Sequence, residues 1–312
     1  MTTAPSRRIP PLGWALIAAL SLIWGSSFLS NRAALTGAGF LTVVTFRVMG
    51  GALVLWAVVL ARRLPLPRDP GYLWRFLVMG ALNNAIPFAL IVWGQQHIDS
   101  GLAAILNAST AIFGVLIAAL VFADERLTRT RLAGVLLGFA GVVIAIGPAA
   151  LGGLTLTSAG QWAVIGASVS YGFAGAFARA NIKGLSPVVA AAGMLSGATL
   201  WLLPAMLLLE GVPSFAYAAP VWAGLLWLAL ACSALAYLIY YRILALVGAG
   251  NLSLVTLTIA PVAIVAGWAV YGEKLGLNAF AGFAVLAAGL WLLNRAPKPQ
   301  PPKPRDEAPR PR

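Results

Sequence analysis

The sequence predicts an all-α integral membrane protein, with ten transmembrane helices arranged as two inverted five-helix repeats. Three observations predict it. First, 61% of the 312 residues are hydrophobic and only 9% charged, with a mean hydropathy of +0.90. Soluble domains carry roughly 25% charged residues, so this chain has too little polar surface to face water on all sides. Second, ten stretches approach the roughly 20 apolar residues that cross a bilayer core: 12–30, 40–60, 73–93, 101–122, 132–149, 161–178, 188–209, 221–241, 250–271 and 276–294. Third, one pattern occurs twice. Ile105 to Val142 reads as an apolar helix, a charged turn (Asp124-Glu125-Arg126-Leu127) and a Gly-rich helix, and it returns as Leu254 to Leu290. A shift of 148 places Thr110 on Thr258, Glu125 on Glu273, Gly134 on Gly282 and Gly141 on Gly289. One structural unit is used twice.

Residues 1–11 are polar and basic. Ser6-Arg7-Arg8 has the outline of a twin-arginine signal, but Pro10 follows where an aromatic belongs and no clear cleavage site ends the apolar run. The segment reads as a cytoplasmic anchor. The first repeat is expected over 12–149, an uncharged inter-repeat loop over 150–160 and the second repeat over 161–294. The tail, 295–312, is Pro-rich and basic, cannot bury a core and is expected to be disordered. A shift of 147 aligns the earlier helices too: Ser21 on Ser168, Trp24 on Tyr171, Gly25 on Gly172 and Arg32 on Arg179.

With the N-terminus in the cytoplasm, 18 of the 21 Lys and Arg residues fall on cytoplasmic segments. Arg32 and Lys274 fall outside, and Arg47 falls within a span. Both termini are therefore expected to be cytoplasmic. Five spans per half make the halves opposite in orientation, with Glu125 and Glu273 at opposite membrane faces, where they cap turns and bind neighbouring helices. The formal charge of +13 sits in loops and tail rather than on an aromatic-studded face, so nucleic acid is not an expected partner. A single cysteine, Cys232, excludes an internal disulfide, and a single histidine, His97, excludes a poly-His metal centre; no metal or other cofactor is expected.

Several residues together resemble the drug/metabolite transporter superfamily, EamA type. They are Trp24-Gly25, Phe46-Arg47, the Glu-x-Leu turns at Glu125 and Glu273, Gly134-x-x-x-Gly138-x-x-Gly141 with Gly282, Ser233-Ala-Leu-Ala-Tyr237, and Pro261. The resemblance covers roughly residues 12–294. It implies a secondary transporter of the bacterial cell inner membrane, exporting amino acids or other small metabolites by alternating access. It also implies a cavity lined by helices one, three, four, six, eight and nine, with helices four, five, nine and ten as scaffold or dimer surface. Members often carry a proline near Ala111-Ile112. Its absence here predicts a helix four straighter than helix nine, which keeps Pro261.

Candidate site residues come from polar groups at membrane depth. Asn83 and Asn84 lie mid-span, and Pro87 frees the carbonyl four residues back; they either hold a polar substrate group or bond a neighbouring helix. Asn107, Thr110 and Thr258 either face substrate or bond back to their own helices. Trp24, Tyr171 and Tyr237 read as pocket aromatics with polar tips or as interfacial anchors. Arg47 either attracts a substrate carboxylate or snorkels to the outer interface, with Asp99, Glu210 and Glu273 as possible partners. Arg47, Pro87, Glu125, Pro261 and Glu273 are assigned to structure and gating. Expected partners are a small-molecule substrate and membrane lipids, in a monomer or homodimer. A membrane enzyme would need a nucleophile, metal ligands or paired carboxylates at depth, and none is present in the sequence. A non-transporting assembly or sensor protein, or a transporter of other metabolites or drugs, are the alternatives.

Overall fold

In lipid a backbone N–H or C=O left unpaired costs several kcal/mol, so long apolar runs fold as helices that satisfy their own groups. The computed structural model describes residues 10–123, 125, 127–146 and 155–295, without the side chains of 156, 247–254, 257, 294 and 295. The expected N-terminal segment 1–11, the loop 150–160 and the tail 295–312 lie outside it, apart from residues 10, 11, 155–160 and 295. Among the described residues every regular element is helical.

The passes are α1 (Pro11–Leu35), α2 (Phe40–Ala61), α3 (Tyr72–Gly94), α4 (Ser100–Val121), α5 (Arg129–Ile146) and α6 (Leu156–Asn181). They continue as α7 (Pro187–Leu209), α8 (Ala219–Leu246), α9 (Thr258–Tyr271) and α10 (Leu277–Arg295). Seven of them, α1 to α5 with α7 and α8, are long and apolar enough to cross a membrane. The apolar stretches of α9 and α10 are shorter, and α6 is long, at 26 residues, but more polar. Leu53, Leu120, Leu208 and Val265 stand exposed on the outside of the bundle, as lipid-facing residues do. The face where α1 begins is called the near face below, and its opposite the far face.

Helical backbone runs on from Ala236 to Tyr271, replacing the short connection expected between 241 and 250. Contacts to α1 show that the path nevertheless reverses. Trp227 bonds Ser26, Cys232 bonds the Ile23 carbonyl and Tyr240 packs on Trp24, so α8 descends along α1. Thr258 bonds Ser21 and Tyr271 reaches the Leu29 carbonyl, so α9 climbs back up it. The inverted repeat appears in the packing: α1 lies on α9 as α6 lies on α4, and α2 crosses α7 on the axis between the halves.

Pro261 leaves α9 helical, whereas α4 is interrupted, so the expectation of a straighter helix four is overturned. Its two pieces, Ser100–Asn107 and Thr110–Val121, meet at a turn. There the Ser109 hydroxyl donates to the Leu106 carbonyl at 2.7 Å, and the Thr110 hydroxyl to the Asn107 carbonyl at 2.7 Å. Those hydroxyls compete for helix acceptors. The second repeat has Leu257 opposite Ser109, which offers no such donor.

Two apolar cores form. One is built mainly from α1, α4, α5, α6, α9 and α10, the other mainly from α2, α3, α7 and α8. Trp24 and Tyr171, which the repeat superposes, pack against both. The first core is seamed by glycines. A Cβ on Gly289 would lie 2.6 Å from the Gly138 nitrogen, and one on Gly134 2.9 Å from the Gly289 carbonyl. The glycine face of α5 is therefore covered by α10 within the chain, the close approach that small residues permit. Glu210, at the end of α7, caps α2: its carboxylate accepts from the Leu41 and Thr42 nitrogens at 2.9 and 2.8 Å. Gly272, at φ 64°, ends α9 in the left-handed conformation that glycine adopts without strain.

Candidate functional site

Among the described residues two π-helical turns fall at matching places in the two repeats, Ala81–Ala85 in α3 and Trp227–Leu235 in α8. A π-turn shifts the hydrogen-bond register and leaves carbonyls seeking other donors. Each is met from the opposite repeat. Ser170 of α6 donates to the Leu82 carbonyl at 2.7 Å, and Trp24 of α1 donates its indole N–H to the Cys232 carbonyl at 3.1 Å. Within α8, the Ser233 hydroxyl reaches five residues back to the Leu228 carbonyl at 3.0 Å. Pro87, just beyond the first π-turn, lacks the N–H that the ordinary register would need.

The first π-turn aims its amides at the second half. Asn84 is fully buried and donates to the Tyr237 hydroxyl at 3.1 Å, and Asn83 donates to the same oxygen at 3.3 Å. Tyr237 accepts both, and its own proton has no acceptor among the described residues. The Asn84 Oδ1 is likewise buried and unpartnered. Arg47 of α2 reaches the same helix, with its guanidinium over the ring of Phe88, one turn beyond Asn84. Asn83, Asn84, Tyr237, Tyr171, Trp24 and Arg47 thus converge where the two cores meet.

The other candidates stand apart. Thr258 shares a hydrogen bond with Ser21 and bonds back to the Val255 carbonyl at 3.0 Å. Thr110 makes the same back-bond to Asn107, whose Oδ1 is buried and unpartnered. Ser168, the repeat equivalent of Ser21, reaches the Leu106 and Asn107 carbonyls at 3.4 Å. Ser21 thus meets a hydroxyl of the other half, whereas Ser168 meets carbonyls, and neither bonds the Asn84–Tyr237 group.

Arg47 corrects the snorkelling expectation. It is 6% exposed, with its guanidinium 3.8 Å over the Phe88 ring, and no ion pair or hydrogen bond reaches it among the described residues. Glu210 is held at the α2 terminus, and Asp99 and Glu273 pair with Arg32.

At each face an arginine ties the repeats together. At the far face Arg32 of α1 pairs with Glu273, which also accepts from the Gly101 nitrogen at 3.3 Å, and Asp99 stands 3.8 Å from Arg32. Burial pushes the Asp99 carboxyl above its ordinary value, the Glu273 charge pushes the same way, and Arg32 opposes. A cleft of about 450 Å³ opens beside this latch, lined by Arg32, Gln95, His97, Asp99 and Thr157 among others. At the near face Glu125 pairs with Arg131 at 2.7 Å and with Arg179 of α6 at 3.2 Å. Sequence reasoning missed Arg32 and Arg179 as site residues, although their alignment at a shift of 147 marked them. Ser21 carried the same mark, its alignment on Ser168, whereas Ser170 carried none.

The model of the EamA-like transporter family matches residues 11–147 and again 158–295, one match per repeat. The chain belongs to the EamA-like transporter family. It is a multi-pass membrane transporter of the drug/metabolite type, not an enzyme. Among similar proteins, a probable terminal-alkyne amino-acid exporter of Streptantibioticus cattleyicolor is 32% identical over 90% of this chain and 93% of its own. The uncharacterized transporter YoaV of Bacillus subtilis is 23% identical over 88% of this chain and 94% of its own. A solved crystal structure aligns over 90% of this EamA-like chain and 97% of its own, with a TM-score of 0.64 at 18% identity, a likeness of fold.

Proposed function

We propose that this transporter exports amino acids or closely related small metabolites across the bacterial inner membrane by alternating access, with the near face cytoplasmic. The observation that carries the reading is the meeting of Asn83 and Asn84 with Tyr237 across the repeats, beside two π-turns. A transporter needs polar groups at depth, held by elements that move relative to each other. Here the contact joins one half to the other, so a substrate that replaces it is sensed by both.

In this reading Trp24, Asn83, Asn84, Tyr171 and Tyr237 form the centre of the substrate pocket, with Asn107, Thr110 and Thr258 at its edges. Pro87 and Pro261 shape the flexing helices. Glu125 and Glu273 latch the near and far gates in turn. The 18 basic residues that the sequence assigns to cytoplasmic segments support a cytoplasmic near face, and repeats over 12–149 and 161–294 are the two moving halves. The printed name of the Streptantibioticus relative supports amino acids as the substrate class.

The test is efflux of labelled amino acids from proteoliposomes. Asn84→Ala and Tyr237→Ala should each lower flux at least about tenfold while membrane abundance stays near wild type, the factor that roughly 1.4 kcal/mol supplies. Wild-type flux in both variants removes this pocket. Absence of flux for every amino acid removes the substrate class.

A further inference from the structure

We propose that Arg47 is a subsite for a free carboxylate, placed to hold the carboxylate of the transported molecule; this rests on the amino-acid reading above. Among the described residues the acids are Asp69, Asp99, Glu125, Glu210 and Glu273. Asp69 pairs with Arg75, Asp99 and Glu273 with Arg32, Glu125 with Arg131 and Arg179, and Glu210 with the α2 amides. None is left for Arg47. Its Nε is buried and unpartnered.

A guanidinium this deep loses hydration, and a fixed counter-ion is the usual compensation. The Phe88 ring offsets part of the loss through a cation–π contact. That contact uses the face of the guanidinium. The edge, with its fork of N–H donors, remains free, and the fork is the part that matches a carboxylate in a bidentate pair. A lipid phosphate is a poor fit, because Arg47 lies about 10 Å along α2 from its far end, buried within the second core rather than at the surface.

The surroundings complete the match. The Asn84 Oδ1 is a buried acceptor without a donor, suited to an ammonium N–H, and the Tyr237 hydroxyl keeps an uncommitted proton. One cation, one free acceptor and one free donor in a single polar layer are complementary to a zwitterion. The carboxylate end is the part assigned to Arg47.

The experiment uses the full chain, purified in detergent, with L-leucine, L-phenylalanine and isovalerate as carboxylate probes and leucinamide as the uncharged-end control. Thermal unfolding is followed by tryptophan fluorescence, and efflux of the same compounds is measured in proteoliposomes. At least one carboxylate should raise the wild-type Tm while leucinamide does not. Arg47→Gln should lose that rise and at least tenfold of the efflux, and Arg47→Lys, which keeps the charge without the fork, should retain part of both. A rise with isovalerate as well as leucine assigns the carboxylate alone as the recognised group. The proposal is overturned if no carboxylate stabilises the wild type, if leucinamide does so equally, or if Arg47→Gln keeps the full rise. Carboxylate-dependent stabilisation that vanishes in Arg47→Gln, with no amino acid exported, would leave the subsite standing and remove the amino-acid export reading.

Discussion

The two latches are copies of one arrangement, an arginine late in α1 or α6 tied to the glutamate of the α9–α10 or α4–α5 turn, yet they are guarded differently. Glu273 at the far face has a side chain 3% exposed and depends on Arg32 and one backbone amide. Glu125 at the near face is 29% exposed and is held by two arginines. Breaking a buried pair strands a charge in a poor solvent, whereas an exposed pair is replaced by water at little cost. The duplication therefore sets where the latches sit, and local burial sets how firmly each holds. In this conformation the far latch is the harder one to open.

The sharpest way to break that comparison is Glu273→Gln. Arg32 keeps some access to water, so the loss should be roughly 2 kcal/mol, between the values for buried and surface pairs. Labelling of Leu102→Cys, beside the far cleft, by a membrane-impermeant maleimide should then rise at least tenfold in a Cys232→Ala background. Unchanged labelling would place the strength of the far gate elsewhere. Next comes Arg179→Ala at the near latch, where Arg131 still holds Glu125. The expected effect on efflux is two- to threefold, and the Arg131→Ala, Arg179→Ala pair should exceed the sum of the single changes, because the two arginines share one partner. A single Arg179→Ala effect as large as that of Glu273→Gln would make the latches equals.

The smallest effect concerns pH. Asp99 is pushed above 3.8 in the closed far latch, by burial first and the Glu273 charge second, against Arg32. The closed form then binds more protons than a hydrated open form, so raising the pH from about 3.8 upward weakens closure. Far-cleft labelling of Leu102→Cys, normalised to the reaction of a free thiol at the same pH, should climb over that range and flatten in Asp99→Asn. A climb that survives the substitution would show that Asp99 is not the titrating group.

Much of this architecture can be read from the chain. Lipid admits only self-satisfied helices, so the apolar runs announce themselves, and the Glu turns mark the duplication. Asn83, Asn84 and Tyr237 stand out because an amide or phenol at depth needs a partner. That they partner each other depends on packing between segments 153 and 154 residues apart, which no local pattern encodes. The π-turns are hidden for the same reason, since the Leu82 and Cys232 carbonyls are met by Ser170 and Trp24 from other helices. The break in α4 was within reach: Ser109 and Thr110 bond three residues back, a local act, but the missing proline drew the expectation the other way. Arg47 was visible as a buried charge. Its lack of a partner was not, because three acids were plausible until the structure tied each one elsewhere.

The glycine seam between α5 and α10 bears on how two copies of one ancestral unit can grow apart. Each latch holds its glutamate through its own set of partners, two arginines at the near face and an arginine with a backbone amide at the far face. At the seam Gly141 and Gly282 touch through backbone, and a methyl group on either presses on the other repeat. A change there is felt by both halves in the same generation. Divergence is free at the gates and forbidden at the spine, so the molecule can acquire a sidedness without losing the frame that its two halves share.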